Sequence, residues 1–140
     1  MFYNKKNTIF IIALFVIVTL IFVLRGGSSG IEFDISDETL TMSYSDKYSF
    51  AVPIRDIDTV ELADGLDLGE CIEGEAGKKY SYGTWENTPY GEYSLCCLTK
   101  VTTYVVITDK DGEHYVFNIE NASSTTEMKD ALITYMESLE

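Results

Sequence analysis

One histidine, three cysteines and 23 carboxylates are the groups that could carry chemistry in this 140-residue chain. His114 stands alone beside the run Asp109-Lys110-Asp111-Gly112, on the strand face opposite Tyr115 and Phe117. A general base needs a nucleophile and an orienting carboxylate at defined spacing, and no such arrangement accompanies this imidazole, which reads as a strand-surface histidine. Cys71, Cys96 and Cys97 show no CxxC spacing, and one histidine does not complete a zinc set. Cys96 and Cys97 are neighbours in an extended segment, so they point to opposite faces and suit each other poorly as a disulfide. The three read as buried structural thiols, with pairing of Cys71 to Cys96 or Cys97 left open. Asp109-x-Asp111-Gly112 holds part of a calcium loop but lacks the third ligand position and the distal glutamate, so it reads as a turn. Asp64, Asp67, Glu70, Glu73 and Glu75 form a denser acidic run whose spacing selects no ligands; a solvated acidic loop is the expectation. No Walker, GxGxxG or HExxH motif occurs. No enzyme, no cofactor and no metal site are expected.

The stronger signal is aromatic. Residues 63–93 hold six of the ten glycines together with Tyr80, Tyr82, Trp85, Tyr90 and Tyr93. Tyrosine and tryptophan beside glycine bring large contact area at low entropic cost, which makes these five the candidate interaction surface. The competing reading packs Tyr80, Tyr82 and Trp85 into the core. Asn121-Ala122-Ser123 matches a glycosylation acceptor but sits where a helix begins.

Charge sets the context. The net charge is -13, yet no acidic residue precedes Glu32. Lys5, Lys6 and Arg25 form a basic leader, and the rest carries 7 basic against 23 acidic groups, or -16. Such a domain repels phosphate backbones, which excludes nucleic acid as a partner, and the same repulsion argues against docking on anionic headgroups. Ile9–Leu24 is a sixteen-residue run with no charge and one threonine. As a helix it spans about 24 Å, extended by Thr8 and the stem of Arg25. It is apolar on every face and reads as a retained signal anchor over residues 1–25, in preference to a cleaved signal peptide. Lys5 and Lys6 before the run outweigh Arg25 after it. The N-terminus is then cytoplasmic and the domain extracytoplasmic, with the chain crossing the cell membrane once.

Gly26–Gly30 is a flexible linker. From Ile31 the hydrophobic period becomes two. Ile31–Ser36, Thr39–Tyr44, Tyr48–Val52 and Ile57–Leu62 are predicted strands. Further strands are predicted near Lys79–Trp85 and Glu92–Thr99. Tyr104–Thr108 and His114–Ile119 form a hairpin across Asp109–Gly112. Met128, Ala131, Leu132, Tyr135, Met136 and Leu139 make the apolar stripe of a C-terminal helix over about 123–139, with Ser124 and Glu127 as a capping box. Residues 31–140 are thus a mainly β domain of about seven antiparallel strands, a barrel or sandwich capped by one helix.

The order of motifs resembles the bacterial pleckstrin-homology-like domains of membrane-anchored proteins. The resemblance rests on Ile57-Asp58-Thr59-Val60-Glu61-Leu62 after an alternating meander and on Gly83 with Tyr90-Gly91-Glu92-Tyr93-Ser94-Leu95. Its third element is Tyr115-Val116-Phe117-Asn118 before a Thr-capped helix. It implies a bent seven-stranded barrel with a helix plugging one end, acting as a non-catalytic binding module for a protein or peptide at the membrane. Lipid-binding members carry Lys and Arg in the first loop, where this chain has Ser36-Asp37-Glu38. The alternatives are an accessory subunit acting through its transmembrane run, or a weak calcium-binding surface domain.

Overall fold

The computed structural model describes residues 30–139. The expected anchor and residues 26–29 of the linker lie outside them. Among the described residues no helix is long and apolar enough to cross a membrane.

Alternation builds the first sheet. Strands β1 (Ile31–Ser36), β2 (Thr39–Tyr44) and β3 (Tyr48–Pro53) pair antiparallel in the order β1-β2-β3. Ile31, Phe33, Leu40, Met42, Phe50 and Val52 are buried on one face. The β1–β2 hairpin turns on Asp37 and Glu38, both at positive φ (51° and 56°), a conformation that usually falls to Asn-Gly. Two contacts hold it. The Arg55 guanidinium lies 2.7 Å from the Glu38 carboxylate, and the Ile54 amide donates to the Glu38 carbonyl at 2.8 Å. The same ion pair lowers the Glu38 pKa, first through the hydrogen bond from Arg55.

A 3-10 turn, Ile54–Asp56, carries the chain into the second sheet. Its strands are β4 (Ile57–Asp64), β5 (Glu70–Ala76), β6 (Tyr80–Asn87), β7 (Gly91–Leu98), β8 (Thr103–Asp109) and β9 (His114–Phe117), in the order β4-β8-β9-β7-β6-β5. Among the described residues nine strands therefore stand where about seven are expected, in two sheets. One pair, β7 with β9, is parallel, which corrects the expectation of a wholly antiparallel barrel. The acidic segment expected as a loop contains β5.

The edge strands β4 and β5 are consecutive in the chain. Six Cα steps from Asp64 to Glu70 reach at most about 22 Å. Six strands laid flat would separate the edges by about 24 Å, before counting the run from one end of the sheet to the other. The sheet must curl, and the connection crosses its concave side. Leu66 and Leu68 pack there against Trp85, Tyr93, Leu95, Cys97, Tyr104, Val106 and Val116. The opposite face meets the three-stranded sheet and the helix α1 (Ala122–Ser138) through Cys96, Val105, Ile107 and Phe117. Strand β8 is buried on both faces because both cores use it. Cys96 and Cys97 fall into opposite cores, as their adjacency predicts, and all three thiols are free.

The predicted stripe of α1 is correct: Met128, Ala131, Leu132 and Tyr135 are buried, with Met136 and Leu139 packed at the margin. Each of the larger side chains contributes about 1.5–3 kcal/mol before entropy. The cap differs from expectation. Asn121, not Ser124, is the N-cap, and its side chain accepts the Ser124 amide at 2.8 Å. Thr125, fully buried, ties the helix to the end of β9: its Oγ1 accepts from the Ile119 amide at 3.1 Å and lies 2.9 Å from the Ile119 carbonyl.

Burial also sets the response to alkali. It pushes the Cys96 and Cys97 thiols up to about 12 from an ordinary 9, and the Tyr104 phenol up to about 12 from 10. These groups favour folding while neutral. Their contribution is complete below the unfolded values and is lost as pH rises through the folded ones. Melting temperatures of the full chain are expected to fall progressively from about pH 9 to about 12. Tyr104→Phe should shallow the slope above about pH 10; an unchanged slope would remove Tyr104 from the account.

Candidate interaction surface

The five aromatic candidates do not form one surface. Strand β6 decides this by alternation: Ser81, Gly83, Trp85 and Asn87 are buried on one face, while Tyr80, Tyr82 and Thr84 lie half-exposed on the other. Trp85 is 6 % exposed and Tyr93 2 %, both in the concave core. The Trp85 indole N–H donates to the Tyr82 carbonyl at 3.1 Å, and the Tyr93 hydroxyl donates to the Leu68 carbonyl. These two rings hold the crossing loop down and have no face left for a partner. Tyr90 is half-exposed, edge-on to Tyr93 and 4.5 Å from the His114 ring. His114 itself hydrogen-bonds Thr108 at 2.9 Å. It is a strand residue held by its neighbour.

Tyr80 and Tyr82 meet partners that the sequence reading placed elsewhere. The Tyr80 ring stacks on Tyr44 at 4.2 Å, Tyr82 lies 5.2 Å from Tyr44, and Tyr48 stacks on Tyr82 at 5.7 Å. The four rings form a continuous half-exposed patch where the three-stranded sheet closes on β6. Ammonium groups flank it: Lys47 Nζ is 5.7 Å from the Tyr44 centroid, and Lys79 Nζ is 5.5 Å from that of Tyr80. The Tyr82 hydroxyl donates to Glu75 at 2.9 Å, which together with burial raises the Tyr82 pKa. Tyr44 and Tyr48 lie two positions from the buried Met42 and Phe50, on the same strand face, so alternation assigns them to the core rather than to a surface.

Three of the aspartates are already committed. Asp109 Oδ1 accepts the amides of Asp111 and Glu113, both at 2.9 Å, and Oδ2 accepts the Tyr115 hydroxyl. Gly112 takes φ 84° beside it, so the aspartate–glycine run is a self-capped turn. Asp67 accepts the Gly69 amide, and Asp64 accepts from Thr103. Among the described residues no three His, Cys, Asp or Glu side chains converge as metal ligands would.

A second surface is the open edge of β5, which pairs with β6 alone. Here Glu70, Glu73 and Glu75 are exposed, and a bulge between Cys71 and Glu73 throws Ile72 out of the ladder, 51 % exposed. A shallow groove of about 350 Å³ lies elsewhere, between Ile54, Ile57 and Lys110 on one side and Met136 and Leu139 on the other.

Comparison with protein-family models, with curated proteins and with solved structures finds no match to this chain.

Proposed function

We propose that the chain is a membrane-tethered, non-catalytic module of pleckstrin-homology-like type that captures an extended basic segment of a protein by strand addition at β5. The open edge of β5 carries the reading. Its outer backbone groups have no strand beside them, Ile72 offers an apolar contact, and Glu70, Glu73 and Glu75 favour a cationic partner. The carboxylates also oppose pairing between two copies of the same edge. The tether reading rests on the sixteen-residue uncharged run Ile9–Leu24 and on Lys5 and Lys6 before it, from which the positive-inside rule predicts a domain outside the cytoplasm. A mainly β domain followed by one C-terminal helix is what the chain shares with the pleckstrin-homology-like order; the division into three and six strands and the parallel β7–β9 pair depart from it.

The test is a fluorescent peptide of alternating lysine and valine, titrated into the detergent-solubilised full chain. Anisotropy should report binding that weakens at least about tenfold in Ile72→Ser/Glu73→Lys, with the melting temperature unchanged, since tenfold is about 1.4 kcal/mol. Methylating alternate backbone amides of the peptide should abolish it. Equal affinity of the methylated peptide would show that strand addition is not the mode.

A further inference from the structure

Seven basic residues follow Glu32, and the fold gathers four of them at one end. The turn carrying Lys78 and Lys79 and the turn carrying Lys100 are joined by hydrogen bonds: the Thr99 amide to the Lys79 carbonyl at 3.0 Å, and the Thr99 hydroxyl to the Gly77 carbonyl at 2.9 Å. Lys79 lies over Tyr80, Tyr80 stacks on Tyr44, and Lys47 lies over Tyr44. All four lysines are exposed. Of the other cations, Arg55 pairs with Glu38, Lys129 lies 3.6 Å from Asp130, and Lys110 sits in the turn at the opposite end of the sheet. The acidic groups near the lysine end are Glu32, exposed on β1 opposite Ser43, and Asp46, Asp64 and Glu75, which accept hydrogen bonds from Ser45, Thr103 and Tyr82. By register, Glu86, Glu92, Asp109, Asp111 and Glu113 lie at the far end.

The described chain also begins at this end. A Cβ on Gly30 would meet the Tyr80 hydroxyl at 2.8 Å and the Tyr44 ring at 3.4 Å, so the backbone enters the domain against the tyrosine pair. The five-residue linker Gly26–Gly30 joins the domain at that point to Arg25 and the apolar run before it. A Gly/Ser stretch of that length has a root-mean-square reach of about 12 Å, little more than one Debye length at physiological salt.

We propose that this tyrosine–lysine end rests on the anionic headgroups of the bilayer that holds the anchor, fixing the orientation of the domain; the proposal rests on the tether reading of residues 9–24. The lysines complement lipid phosphates, and half-exposed tyrosine rings suit the interfacial zone. The whole-domain charge of -16 argues against this contact, but the charge is polarised along the sheet, and its acidic end is held away from the surface. A short tether makes the contact intramolecular, so modest attraction suffices. The β5 edge then faces sideways, clear of the headgroups.

The test uses the full chain with vesicles of phosphatidylcholine alone or mixed with phosphatidylglycerol, read by flotation and by amine labelling resolved per lysine by mass spectrometry. On mixed vesicles, labelling of Lys47, Lys79 and Lys100 should fall at least about fivefold relative to Lys110 and Lys129, and high salt should restore it. Lys47→Gln/Lys79→Gln should remove the protection of Lys100 while flotation on both vesicles persists. Flotation on both without differential labelling overturns the proposal and leaves the tether standing. Flotation on mixed vesicles alone, lost in the double variant, supports the patch and overturns the tether. Flotation on neither overturns both. Protection that persists in detergent and grows with protein concentration assigns the patch to a second copy and overturns the proposal.

Discussion

Replacing Asn118 with leucine is expected to lower the melting temperature by about 8 °C or more, although the two side chains branch alike at Cγ. Asn118 is fully buried. Its Oδ1 accepts the Leu98 amide at 2.7 Å, and its Nδ2 donates to the carbonyls of Val101 at 2.9 Å and Leu98 at 3.3 Å. Strand β9 ends one residue earlier, so the carboxamide continues the β7–β9 ladder beyond the last strand pair and closes the turn into β8. Leucine keeps the branched shape but leaves the Leu98 amide and the Val101 carbonyl without that partner, while the Leu98 carbonyl still accepts the Val101 amide at 3.2 Å. Each of these two groups costs about 1–3 kcal/mol, which makes a loss of about 2 kcal/mol the lower bound. Thermal melts of the full chain in detergent check it. A shift below about 4 °C would mean that packing volume, not hydrogen bonding, is what Asn118 supplies.

Asn118 also shows where sequence reading stops. Tyr115, Phe117 and Ile119 announce a strand by their alternation, and that much of the hairpin and its Asp109–Gly112 turn is legible from residue types alone. Nothing local says that the residue between Phe117 and Ile119 bonds to a turn twenty positions earlier. The same division runs through the chain. The stripe on α1 and the alternation of β1 and β2 are period signals, and they survive. The helix cap does not, because Asn121 and Ser124 both have capping chemistry and only the departure of the chain from β9 selects between them.

Strand β5 was hidden for another reason. Glu70-Cys71-Ile72-Glu73-Gly74-Glu75-Ala76 has neither alternation nor strand-forming composition, since an edge strand exposed on most of its length needs little of either. Its pairing with β6 is imposed by the neighbour. The candidate aromatics divide by the same logic: Tyr80, Tyr82 and Tyr90 are half-exposed, whereas Trp85 and Tyr93 are buried. Ser81 and Gly83 look like surface residues and Tyr80 and Tyr82 like core, yet the phase of β6 is set by Trp85 under the crossing loop, and the tyrosines follow to the outer face.

The glycine pair that makes this possible gives the second large prediction. Gly74 and Gly83 face each other in register at φ 127° and 113°. A Cβ at Gly83 would stand 2.0 Å from the Glu73 carbonyl oxygen and 2.7 Å from the Gly74 Cα, both backbone atoms with no rotamer to yield. Gly83→Ala therefore meets a conformational penalty of about 1–3 kcal/mol and a steric overlap that only separation of the strands relieves. The expected result is that β5 leaves β6 while the β7–β8–β9 core holds. Amide exchange should accelerate over residues 70–76 at least about a hundredfold, which corresponds to about 2.7 kcal/mol of lost local stability. Cys71, half-buried opposite Trp85, should become freely reactive to alkylating reagents, whereas Cys96 and Cys97 stay protected in opposite cores. Because the proposed peptide edge is β5 itself, the lysine–valine peptide should lose affinity in the same variant without any change at Ile72 or the glutamates. If β5 protection is retained and peptide affinity falls, the defect lies in edge geometry. If β5 opens and the peptide still binds, strand addition at this edge is wrong.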